Sequence, residues 1–149
     1  MYTFVLKITT IWHQGVQGRK LMDDLPVILV IEDEDLIQVM IEDALSEGGF
    51  ATDIVASGEE ALALFRGGLK NYKALVTDIG LKGQLNGWEV AAQIREANPG
   101  FPVVYMSGAH ADEWASRGVP HSIMLAKPFA SAQLVTAVSQ LLNSVPPPA

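Results

Sequence analysis

The chain has 149 residues, 49% hydrophobic and 18% charged, with a net charge of −7. That length suits one domain with a full core, and the composition is that of an ordinary soluble globular protein. Without cysteine there are no disulfides, thiolate metal sites or cysteine nucleophiles. The negative charge disfavours nonspecific nucleic-acid contact, which rests on Lys and Arg neutralising phosphates. Apolar runs such as Val27–Ile31 are far too short to span a bilayer. A cytoplasmic protein with no membrane or nucleic-acid contact is expected.

Residues 1–25 form an extension of different character. Within Met1–Lys20, Tyr2, Phe4, Leu6, Ile8 and Trp12 fall on one parity, as in a half-buried strand. The segment lacks the basic start, compact apolar centre and small-residue cleavage site of a signal peptide. It reads as an added edge strand, a docking arm for a partner, or an extension irrelevant to the chemistry. Met22 opens Met-Asp-Asp-Leu-Pro directly before the first core strand and is a second candidate start.

From Pro26 to Asn143 the pattern is regular. Apolar runs at Val27–Ile31, Ile54–Val55, Ala74–Val76, Val103–Met106 and Ile123–Leu125 predict buried strands, each followed by a segment of helical period. The first predicted helix carries Leu36, Val39, Met40, Ala44 and Leu45 on one face and stops at Gly48-Gly49. The second opens on the capping-box pattern Ser57-Gly58-Glu59-Glu60, with Ala61, Leu64 and Phe65 inward. Trp88–Asn98 presents Val90, Ala91, Ile94 and Ala97 and stops at Pro99. A shorter helix is expected around Ala111–Arg117, and a last one over Ala130–Asn143 with Leu134, Val138, Leu141 and Leu142 inward. Residues 144–149 are a Pro-rich tail.

Alternating strand and helix implies an α/β fold: a doubly wound parallel sheet with right-handed crossovers. The second strand, Thr52-Asp53-Ile54-Val55, is the more polar one and suits an edge. This favours the flavodoxin-like (βα)5 order 2-1-3-4-5, whose switch point lies between strands one and three.

The strand ends carry the chemistry. Strand one runs into Glu32-Asp33-Glu34-Asp35, strand three into Asp78, strand four into Ser107 and strand five into Lys127-Pro128. All are carboxyl ends, so they converge on one rim of the sheet, with Glu32 and Asp33 expected beside Asp78. Three carboxylates oppose one another's ionisation. A hard divalent cation resolves the conflict, since Mg²⁺ takes oxygen ligands and needs few carboxylates. The Lys127 ammonium and the Ser107 hydroxyl are then available to a phosphoryl group on the same ion. Glu34 and Asp35 read as helix-start residues interacting with the dipole. His13, His110 and His121 have no metal-ligand spacing, and Trp88 and Trp114 are expected to pack.

Val30-Ile31-Glu32-Asp33, Val76-Thr77-Asp78, Met106-Ser107-Gly108 and Ala126-Lys127-Pro128-Phe129 together resemble the motifs of the receiver domain of two-component response regulators. The similarity covers about residues 26–143. It implies that Asp78 is the nucleophile that takes a phosphoryl group from a sensor histidine kinase or histidine phosphotransfer protein. Asp33 and Asp78 would bind Mg²⁺ directly, with Glu32 helping and the Gly80 carbonyl as a further ligand. Ser107 would hydrogen-bond the phosphoryl group, and Lys127 would pair with one of its oxygens. The Lys127-Pro128 bond is often cis in this family.

The chain departs from the family pattern in places. Glu32 stands where Asp is more frequent, Lys82 where many members have Pro, and Met124 where an aromatic residue commonly swings inward on activation. Gly80 and Ala109 occupy positions that often tune dephosphorylation, and neither side chain can position a water. The expected whole is a stand-alone receiver, monomeric or weakly dimeric, signalling through an unidentified downstream protein. It would be no enzyme beyond catalysing its own Mg²⁺-dependent phosphorylation and dephosphorylation. A degenerate receiver that binds partners without phosphorylation is the first rival. A Mg²⁺-dependent phosphatase is the second, although Gly80 stands where such enzymes commonly carry a second acid. A flavin-binding flavodoxin is disfavoured by the acidic first loop.

Overall fold

The computed structural model describes residues 24–144. The one-parity pattern of Tyr2–Trp12, His13, Met22 and the prolines at 146–148 lie outside the described residues. Five strands alternate with five helices: β1 (Val27–Ile31), α1 (Asp35–Glu47), β2 (Ala51–Val55), α2 (Gly58–Gly67), β3 (Tyr72–Asp78), α3 (Gly87–Ala97), β4 (Val103–Ser107), α4 (Trp114–Arg117), β5 (Ser122–Ala126) and α5 (Ser131–Asn143). A 3-10 turn, Ala111–Glu113, runs directly into α4.

The strands are parallel and ordered β2-β1-β3-β4-β5, the flavodoxin-like arrangement expected from the pattern. β1, β3 and β4 occupy the centre because each is apolar on both faces, the condition for burial between two helical layers. Their side chains alternate between two cores. Ile28, Val30, Ala74, Val76, Val104 and Met106 point to the side covered by Ile41, Leu45, Leu134 and Val138 of α1 and α5. Leu29, Ile31, Leu75, Val103 and Tyr105 point to the side covered by Ala61, Leu62, Val90 and Ile94 of α2 and α3. β2, whose residues are all half-buried, lies at one edge. Its Asp53 accepts hydrogen bonds from the Tyr72 hydroxyl (2.6 Å) and the Lys70 ammonium (2.9 Å).

Several helix faces differ from expectation. Leu36 and Val39 are 85% and 55% exposed, and Ile41 and Ile37 take the inward places beside Met40, Ala44 and Leu45. Leu36 and Val39, three positions apart, lie on the outer side of α1, while Ile37, Ile41, Ala44 and Leu45 share the inner stripe. Leu64 is likewise exposed while Leu62 is buried, and Ala97 faces outward at the end of α3. β3 begins at Tyr72, two residues ahead of the apolar run, because Tyr72 packs in the core by its ring.

Candidate functional site

The carboxyl rim is set by register. Ile31 pairs with Thr77, Asp78 with Met106, and Ser107 with Ala126, so Glu32 and Asp33 after β1, Asp78 at the end of β3, Ser107 at the end of β4 and Lys127 after β5 share one rim. Glu32, Asp33 and Asp78 each offer a carboxylate oxygen within 4.8 Å of the others. Lys127 completes the group: its ammonium donates to Glu32 Oε1 at 3.1 Å and to Asp78 Oδ2 at 3.2 Å. Glu34 and Asp35 do not belong to this cluster; Asp35 sits in the first turn of α1.

Glu32, Asp78 and Lys127 are each held by backbone contacts. Glu32 is fully buried; its amide donates to the Val55 carbonyl at 3.0 Å, and its Oε2 accepts the Glu34 amide at 3.0 Å. That second contact caps α1, since Glu34 itself supplies no side-chain cap. Gln38, one turn further along, donates from Nε2 to the Glu32 carbonyl at 2.6 Å and braces the same corner. Asp78 accepts the Ile79 amide on Oδ1 at 2.8 Å, which leaves Oδ2 to Lys127. Lys127 follows β5, its amide donating to the Ser107 carbonyl at 2.9 Å, and its bond to Pro128 is cis.

The charges pull in opposed directions. Burial pushes the Glu32 carboxyl above its usual value, a rise limited by the Glu34 amide and by Lys127. Burial also disfavours the Lys127 ammonium. The Glu32 hydrogen bond and the charges of Asp78 and Glu32 outweigh it, holding the lysine above its usual value. Three carboxylates and one ammonium leave the pocket electronegative, with oxygen donors only; that set suits a hard divalent cation.

Ser107 is buried at the end of β4, and its Oγ accepts the amides of Ala109 (3.2 Å) and His110 (2.8 Å). Both lone-pair directions are thereby used, and the hydroxyl hydrogen is left to donate outward. Gly80 lies in the loop after β3, exposed, with nothing within 4 Å of where a Cβ would stand. His110, expected to face solvent, is half-exposed and its Nδ1 lies 2.7 Å from Glu113 Oε2. Trp88 packs against Tyr105, ring centroids 4.7 Å apart, and Trp114 donates to Ser122 Oγ at 2.9 Å. Met124 is half-buried in the same cluster as Tyr105.

Two supports escaped the sequence reading. Gly87 must be glycine, since a Cβ there would stand 2.3 Å from the Asp78 carbonyl oxygen. The capping box is complete at Asn86 and Glu89, which exchange side-chain and amide hydrogen bonds of 2.9 Å and seat α3 directly behind Asp78. The spacing Asn-Gly-Trp-Glu carries the same signature as the one noted at Ser57 and was available to find it.

Comparison with known proteins identifies the family and the fold. The family model described as the response regulator receiver domain matches residues 28–139. The transcriptional regulatory protein CusR of Escherichia coli is 31% identical over 118 residues, covering 78% of this chain and 51% of that protein. TcrA of Mycobacterium tuberculosis, a transcriptional regulatory protein, is 35% identical over 123 residues, 81% of this chain and 47% of its own. The chain thus spans about half the length of these curated relatives. Among solved structures, a response regulator receiver protein from Sinorhizobium medicae is 45% identical with a TM-score of 0.78, covering 81% of this chain and 97% of its own. The receiver domain of a Francisella response regulator is 28% identical with a TM-score of 0.67, over 78% and 96%. The chain belongs to the receiver domain family of response regulators.

Proposed function

We propose that residues 26–143 act as a phosphoacceptor switch in which Asp78 takes a phosphoryl group from the phosphohistidine of a sensor histidine kinase or a histidine phosphotransfer protein. One observation carries the reading. The Asp78 carboxylate lies at the mouth of a parallel sheet, bound to the Lys127 ammonium and gathered with Glu32 and Asp33. Glu32, Asp33, Asp78 and the Gly80 carbonyl would hold Mg²⁺, which when bound withdraws charge from the transferring oxygens.

The chain's own groups supply the rest. A carboxylate oxygen of Asp78 attacks phosphorus; the new P–O bond forms as the P–N bond of the donor breaks, its electron pair leaving with the imidazole. Lys127 exchanges a carboxylate partner for a phosphoryl oxygen, and Ser107 donates its free hydroxyl hydrogen to another. Because Ser107 Oγ also holds the Ala109 and His110 amides, that donation draws on the turn after β4 and passes the change to a downstream protein. The chain catalyses its own phosphorylation and dephosphorylation and no other reaction. It works as a monomer or weak homodimer in the cytoplasm, with no nucleic-acid contact by this segment.

Intact mass after incubation with Mg²⁺ and acetyl phosphate tests the proposal. A single phosphoryl adduct is expected on the parent and none on Asp78→Asn. No adduct on either protein, with no Mg²⁺ binding by calorimetry, would overturn it in favour of a receiver that signals by protein contact alone.

A further inference from the structure

The loop between β3 and α3, residues 79–86, is held by a residue far from it in sequence. Glu59 of α2 accepts the Gln84 amide on Oε2 at 2.9 Å, across 25 positions of chain. A Cβ at Gly83, whose φ is +93°, would stand 2.7 Å from Glu59 Oε1. The carboxylate therefore lies directly on the loop backbone, which only a glycine in the left-handed region allows. Lys82 of the same loop makes a parallel bridge with Ser57, and a Cβ on Gly58 would stand 3.3 Å from that of Leu85.

This attachment matters because, apart from the Ser57–Lys82 bridge, the other hydrogen bonds that fasten the loop among the described residues lie near its ends. At its start, Ile79 donates to Asp78 Oδ1; at its end, Gly87 donates to the Ile79 carbonyl at 2.9 Å, and Asn86 is tied to Glu89. The middle contains Gly80 and Gly83, and glycines make a fixed conformation entropically costly. The Gln84 amide, and next its own amide, draw the Glu59 carboxyl below its usual value, so it is ionised at neutral pH and its hydrogen bond is charge-assisted.

We infer that Glu59 is a positioning residue for the metal site: by gripping the Gly83–Gln84 backbone it fixes the loop that presents the Gly80 carbonyl. The inference rests on the phosphoacceptor reading. It makes the start of α2, which carries none of the reacting groups, part of the machinery that shapes the rim.

The test is Mg²⁺ titration by calorimetry, with amide hydrogen exchange on the same samples, for the parent, Glu59→Ala, Glu59→Gln and Glu60→Ala. Glu59→Ala is expected to weaken Mg²⁺ binding about three- to tenfold, at or below the usual effect of removing a residue that orients a metal ligand, and to speed exchange at Gln84. Glu59→Gln keeps an oxygen that accepts the Gln84 amide and should remain within about twofold of the parent. Glu60→Ala disturbs the same helix start, where Glu60 accepts the Ala56 amide, and should leave Mg²⁺ binding unchanged. Unaltered binding in Glu59→Ala would overturn the inference. So would an equal loss in Glu59→Gln, which would mark a distant charge effect, or in Glu60→Ala, which would mark a weakened helix. A parent that binds no Mg²⁺ would overturn the phosphoacceptor reading and this inference together, a result distinct from the others.

Discussion

Replacing Lys127 by Met removes the ammonium that touches both Glu32 and Asp78 while keeping an unbranched apolar stem of similar reach. Glu32 has no exposure and would become a buried carboxylate with only the Glu34 amide as partner. Breaking a fully buried pair typically costs about 3–5 kcal/mol. The Lys127 side chain is 19% exposed, so water moderates the loss, and we expect about 2–3 kcal/mol at pH 8 without divalent ions. Urea unfolding would show this as a midpoint lowered by roughly 1 M for a slope of about 2 kcal/mol per M.

The loss should depend on pH in a defined direction. Burial already lifts Glu32 above 4.5, and Lys127 restrains that rise. Without the lysine the folded value climbs further, so the folded variant binds a proton that the unfolded chain has released. An acid raised in the folded state destabilises increasingly as pH rises above its unfolded value, and the penalty recedes as pH falls back through the folded value. The gap between parent and variant should therefore be widest at pH 8 and narrow towards pH 5, and Mg²⁺ should narrow it at pH 8 by replacing the missing cation. A gap equal at both pH values, or no gap at pH 8, would refute the reasoning.

Gly87→Ala puts a methyl group 2.3 Å from the Asp78 carbonyl oxygen and 3.0 Å from the Ile79 Cα, both backbone atoms with little room to yield. A loss of about 1–3 kcal/mol in urea unfolding and a slower phosphoryl adduct with acetyl phosphate are expected; unchanged values in both would show that the strand end moves freely. Tyr72→Phe deletes the hydroxyl that donates to Asp53 and should cost about 1–2 kcal/mol at pH 7. Although burial resists ionisation of Asp53, Tyr72 and Lys70 outweigh it and hold its carboxyl below 3.8. That contribution is present above pH 3.8 and disappears as pH falls through the lower folded value. The difference between parent and Tyr72→Phe should shrink in urea melts as pH falls below 3.8, and a difference undiminished in acid would count against it.

What the sequence determined by itself is what local chemistry encodes. Val27–Ile31 is apolar on both parities, so it can be stable only between two layers, and that one property implies a parallel sheet with helices on both faces. Asp78, Ser107 and Lys127 each follow directly on such a run, so their places on one rim were legible too. The inward faces of the helices were less so. Apolar residues at helical spacing mark a stripe, yet which stripe faces inward is set by packing: Leu36 and Val39 turn outward while the interleaved Ile37 and Ile41 turn to the core.

The contacts that make the rim a site were decided by tertiary structure. Lys127 meets Glu32 across 95 positions, Glu59 meets Gln84 across 25, and Gly87 is pressed against the Asp78 carbonyl by the seating of α3. Periodicity and turn chemistry are properties of neighbours along the chain. Angstrom-scale distances between separate loops follow from strand register and from which helix covers which face, and those are settled only when the whole core packs.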